Sequence, residues 1–140
     1  MRLVSLNQSS LVSTASNDPI ASTLGGSVRV FTTAGDAFDT TYPLPLAQWQ
    51  YIGQPAQGLG YKYTNPSGPI TRVVFRSQRR LTVVGKGSSL GHTLATNPDP
   101  VVVVVTVGAR NYCMNFGGTA SFLTDRRYRA TESGLATSCP

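Results

Sequence analysis

Two cysteines, one histidine and a group of arginines are the residues of this chain with the most evident chemical potential. Cys113 sits in RNYCMNFGGT, beside an aromatic-glycine turn, and Cys139 is the penultimate residue. Two cysteines cannot complete a tetrahedral zinc site, and His92, the sole histidine, is no obvious third ligand. No metal or cofactor is therefore expected. A reactive thiol needs a base or a helix N-terminus beside it, and neither is evident around Cys113. Two readings remain, a Cys113–Cys139 bridge or two buried free thiols. The bridge would close a loop of about 27 residues and contribute roughly 3–4 kcal/mol on the chain-entropy account. It would also require an oxidising compartment.

GKGSSLGH, residues 85–92, resembles a phosphate loop only at first sight. Its lysine comes too early and no helix follows, while Leu90 stands where a dinucleotide fingerprint needs its third glycine. A turn between strands is the expectation. His92, Ser88, Ser89 and Asp99 contain the residue types of a hydrolase triad, but nothing marks a nucleophile elbow or an oxyanion hole. Asp36 and Asp39 read as solvated turn carboxylates rather than an acid–base pair. No catalytic residue is assigned.

The basic residues are more informative. Arg72, Arg76, Arg79, Arg80 and Lys86 fall in fifteen residues without an acid, and Arg126, Arg127 and Arg129 form a second group. The whole chain carries twelve basic and six acidic residues, a net charge of +6, so its surface attracts anions. The first group is the candidate polyanion-binding set, with acidic polysaccharide or RNA as partner. A solvated face that serves solubility is the alternative.

These residues must be positioned by strands. The 140 residues suffice for one domain with a real core. Fourteen glycines and nine prolines cut the chain into short segments, which favours strands and turns over long helices. Leu3–Leu6, SVRVF, WQYIG and YKY are strand candidates. ITRVVFR and LTVVG pair as a hairpin over 70–85, with Val73 and Phe75 facing one way and Arg72 and Arg76 the other. VVVVVTV, residues 101–107, is apolar on both faces. It predicts a central strand covered on both sides, or one covered by another copy, which makes Val101, Val102, Val103, Val104 and Val105 candidates for self-association into a homo-oligomer. RNYCMNF and ASFL complete the strands, and TDRRYRATESGL could form one helical turn at most. The expected fold is all-β, a two-sheet antiparallel sandwich or jelly-roll-like body over 24–140, preceded by an extended N-terminal arm over 1–23. No apolar run is long enough to span a membrane as a helix. The opening MRLVSLNQSSLV is a poor signal peptide, so any exporting segment is expected to lie outside this sequence.

YKYTNPSGPITRVVF, GKGSSLGHTLATNPDPVVVVVTVG, YCMNFGGTASF and the closing Ser-Cys-Pro follow one another in a characteristic order. LGGSVRVF and LPLAQWQYIGQPAQGLGYKY precede them. Over residues 18–140 this pattern resembles a C-terminal β-domain of secreted bacterial proteins, particularly from myxobacteria and related soil and marine groups, with no assigned activity. The resemblance implies that Cys113 and Cys139 are paired, that Phe116-Gly117-Gly118 is a turn between strands, and that the protein is extracellular or on the cell surface. Together these readings predict a non-enzymatic exported structural or surface module that self-associates into an oligomer or filament. The alternative is a small basic viral coat protein, a virion component whose arginine face binds packaged RNA.

Overall fold

A computed structural model describes residues 2–5, 13–86, 89–117, 119–125 and 127–130. The chain is all-β, and among the described residues the helix is confined to isolated 3-10 turns. Its strands are β1 (Arg2–Ser5), β2 (Gly26–Thr32), β3 (Phe38–Leu44), β4 (Trp49–Tyr51), β5 (Gly60–Thr64), β6 (Ile70–Arg76), β7 (Arg80–Gly85), β8 (Val101–Val107), β9 (Arg110–Phe116), β10 (Ala120–Leu123) and β11 (Arg127–Ala130). They form a five-stranded sheet in the order β1-β7-β6-β5-β4, a four-stranded sheet in the order β3-β2-β8-β9, and a separate β10–β11 pair. Every pairing is antiparallel.

The two large sheets form a sandwich because each strand alternates. Val73 and Phe75 of β6, Leu81 and Val83 of β7 and Tyr61 and Tyr63 of β5 point inward from the five-stranded sheet and are buried. Val28 and Val30 of β2, Val103 and Val105 of β8 and Met114 of β9 meet them from the other sheet in one core. Phe75 and Tyr112 touch across the layers, with ring centroids 5.3 Å apart. Burying one such side chain contributes about 1.5–3 kcal/mol, so this interior is what holds the layers together.

The β6–β7 hairpin forms as its alternation predicts. The reversal runs over Ser77–Arg79, with Gln78 at φ 56° and the Arg79 amide donating to the Arg76 carbonyl. Arg76 and Arg80 thereby close the hairpin as direct cross-strand partners. β8 is indeed central, between β2 and β9.

Three expectations need correction. β3 was not foreseen as a strand. Its segment FDTTYPL is polar and contains Pro43, which an edge strand tolerates because one side of its ladder is open. The described part of the N-terminal arm lies on the body: β1 pairs with β7, and Asn17 is fully buried. Residues 127–130, in a segment read as able to form one helical turn at most, form β11. Val101, Val103, Val104 and Val105 are buried within one chain and Val102 is half-buried, so the cover of this strand comes largely from its own chain. Among the described residues, no helix is long and apolar enough to cross a membrane.

Candidate functional site: an arginine-rimmed sheet face

The outer face of the five-stranded sheet gathers its cations by register. Arg72 and Arg76 are exposed on β6, two positions either side of Val74. Arg80 is the cross-strand partner of Arg76, and Val84 is the partner of Arg72. On the far side of β7, Arg2 of β1 pairs with the same Val84. On the near side of β6, Lys62 of β5 pairs with Val74. Because side chains alternate and all these positions are in register, the five cations project from a single face. Strands lie about 4.8 Å apart and rise about 3.3 Å per residue. Arg2, Arg72, Arg76 and Arg80 therefore frame a patch of roughly 10 by 13 Å at the backbone.

Within that frame lies a shallow depression of about 160 Å³, lined by Val74, Thr82 and Val84 and by these four arginines. Val74 faces outward, yet only 8% of it is exposed. Arginine stems can cover apolar surface while their guanidinium heads stay in water, which accounts for a covered valine on a charged face. None of the strands β1, β4, β5, β6 and β7 contains an Asp or Glu. No carboxylate pairs with Arg72, Arg76 or Arg80 among the described residues, where the ion pair is Arg29–Asp39 at 2.7 Å, on the other sheet. Like charges placed directly opposite, as at Arg76 and Arg80, weaken a sheet. An anion seated between them would offset that repulsion.

The sequence-based set is thus only partly brought together. Arg72, Arg76 and Arg80 meet, whereas Arg79 lies in the hairpin turn and Lys86 lies beyond β7, where its Nζ donates to the Pro66 carbonyl at 2.8 Å. Arg2 and Lys62 were missed. Arg126 lies outside the described residues, and the side chains of Arg127 and Arg129 are not described.

The other sequence candidates have structural occupations. Asp39 accepts two hydrogen bonds from Arg29, at 2.8 and 2.7 Å, which hold its carboxyl below the usual range. The Arg29 guanidinium also lies over the Phe31 ring, 4.6 Å from its centroid. Asp36 accepts from the Thr93 hydroxyl at 2.9 Å, and this bond, followed by one from Thr96, lowers its pKa. The His92 ring stacks on Phe38 with centroids 4.0 Å apart, and burial pushes its pKa down. Its Nδ1 is 3.5 Å from the Tyr42 hydroxyl, which itself donates to the Leu90 carbonyl. Gly87 and Ser88, in the loop first read against phosphate motifs, lie outside the described residues, as do Gly118 and Cys139. Cys113 is buried on β9 opposite Val104, on the face turned away from the core.

Searches against protein-family models, curated proteins and solved structures find no match to this chain.

Proposed function

We propose that this chain is a non-catalytic, exported binding module that docks on acidic polysaccharide through the arginine-rimmed face of its five-stranded sheet. The observation that carries the reading is the convergence of Arg2, Arg72, Arg76 and Arg80 around one depression, on strands free of acidic residues. Guanidinium groups present a fork of donors that matches carboxylate and sulfate oxygens, and they stay charged at any physiological pH. They hold anions but neither give nor take protons, which suits binding rather than acid–base catalysis.

The choice of polysaccharide over RNA rests on what accompanies the arginines. The outward positions around them are Val4, Gln50, Lys62, Thr64, Val74, Thr82 and Val84, with no aromatic ring to stack a base. A flat, stacking-free cationic face suits a chain recognised by its charge. The exported setting is supported by the resemblance described above and by the expected Cys113–Cys139 bridge, which needs an oxidising compartment.

The test is retention on immobilised heparin, with single-stranded RNA as competitor. Arg72→Glu combined with Arg76→Glu is expected to keep its strand signature and lose retention, because both side chains are solvent-exposed. A folded double variant retained as strongly as the parent would remove the face from the account. RNA displacing the protein at far lower charge concentration than heparin would favour the coat-protein reading.

A further inference from the structure

A second site lies at the end of the same sheet and does not depend on the arginine face. A cleft of about 240 Å³ opens between the segment around Ser13–Asp18 and the β4–β5 connection. Its polar lining includes Ser13, Thr14, Asp18, Tyr51 and Gln54, and Leu59 lends an apolar edge. Among the described residues, no cationic side chain lines it.

The back of the cleft is fixed. The Tyr61 hydroxyl lies 2.7 Å from Ser13 Oγ and donates to Asn17 Oδ1 at 3.3 Å. Asn17 Nδ2 donates to the Tyr112 hydroxyl at 2.6 Å, so this wall is tied to the opposite sheet. Asp18 is equally constrained. Its Oδ1 accepts from the amides of Ile20 and Ala21, both at 2.9 Å, and its Oδ2 accepts from the Tyr51 hydroxyl at 2.9 Å. The Tyr51 ring is half-buried, tilted 57° to Tyr61 with centroids 6.0 Å apart. Gly60 also lines the cleft, and it is held as glycine by close approach to β6, since any β-carbon there would meet the Phe75 carbonyl oxygen at 1.9 Å.

We propose that this cleft binds one neutral sugar residue. Its volume is below the roughly 300–1,000 Å³ of sites for drug-sized ligands and suits a single ring. Hydroxyl, amide and carboxylate groups converge on a partly aromatic wall, the combination that serves a ligand with many hydroxyls and an apolar ring face. Asp18 sets the charge preference: an anionic sugar would place a second carboxylate beside it with no cation to compensate. The site therefore discriminates against the uronic acids that the arginine face attracts.

The experiment is a titration of the isotope-labelled full chain, followed by amide NMR, with glucose and N-acetylglucosamine as neutral probes and glucuronate as the anionic control. Saturable shifts confined to residues 13–18 and 51–60 are expected for at least one neutral probe, with a dissociation constant on the order of 1 mM. Glucuronate should bind at least about tenfold more weakly, the factor that corresponds to 1.4 kcal/mol. Gln54→Ala should weaken the neutral sugar severalfold while the fold persists, since Gln54 is exposed and caps only the short Pro55–Gln57 turn. Tyr51→Phe, which keeps the ring and removes the bond to Asp18, serves as the second variant should the first not fold. The absence of saturable shifts with both neutral sugars would overturn the proposal. So would glucuronate binding equal to theirs, or binding unchanged in a folded variant.

Discussion

Asn17 is the residue whose loss should reveal how the two sheets are held at this end of the sandwich. It is fully buried and polar, and its carboxamide joins both layers. Nδ2 donates to Tyr112 on β9, while Oδ1 accepts from Tyr61 on β5 and from the Thr14 amide at 2.7 Å. Asn17→Ala removes all three bonds. Tyr61 keeps Ser13 as a partner, but the Tyr112 hydroxyl, on a residue only 8% exposed, loses this one. A buried hydroxyl left unsatisfied costs about 1–3 kcal/mol, and each neutral bond lost about 1 kcal/mol net. The expected destabilisation is therefore about 3 kcal/mol, a large share of a typical 5–15 kcal/mol. The assay is urea unfolding of Asn17→Ala, Tyr112→Phe and the double variant, comparing midpoints at constant m. Because Tyr112→Phe removes the group that Asn17→Ala strands, the two losses should couple by about 1 kcal/mol or more. Additivity within about 0.3 kcal/mol, the behaviour of distant sites, would show that the carboxamide does not bridge the sheets.

Three further outcomes follow from the same structure. Gly60→Ala places a β-carbon at φ 127° and 1.9 Å from the Phe75 carbonyl oxygen; backbone strain alone costs about 1–3 kcal/mol, so a variant as stable as the parent in thermal melts would contradict the β5–β6 geometry. His92 has its pKa lowered by burial, so the unfolded chain binds the proton more readily. Its contribution should be complete above the ordinary value near 6.5 and fall as pH drops through that value, and His92→Phe should abolish this part of the pH dependence in calorimetry. Mass spectrometry of unreduced protein should show Cys113 and Cys139 in one linked peptide, and two thiols that alkylate freely without reductant would remove the bridge and much of the argument for export.

What could be read from the sequence divides along the range of the interactions involved. The β6–β7 hairpin was legible because Val73, Phe75, Arg72 and Arg76 alternate within seven residues, and its parity alone told which side chains face water. β8 was legible because five successive valines suit only a strand covered on both sides. β3 was not, since Asp39, Thr40, Thr41 and Pro43 dilute the apolar pattern of an edge strand that is placed by its ladder to β2. The arginine face was half-legible for the same reason. Proximity in sequence grouped Arg79 and Lys86 with the others, although one sits in a turn and the other bonds to Pro66. Arg2 and Lys62 join the face only through cross-strand register, which no local pattern encodes. The Tyr51–Asp18 cleft left no sequence signal, because its walls come from segments more than thirty residues apart that meet only after the sheets have closed.

Binding to a polyanion across a salt series tests the arginine-rimmed face most directly. Four arginines around one depression, each neutralising an anionic group, give a slope of log K against log salt of about −3 for a ligand with the charge density of a single nucleic-acid strand. Removing two of them by Arg72→Glu and Arg76→Glu should at least halve that slope while the fold persists. Affinity for heparin-like polysaccharide measured across a salt series in both proteins should show this difference. Equal slopes, or binding by the parent that does not respond to salt, would contradict an arginine-rimmed polyanion site.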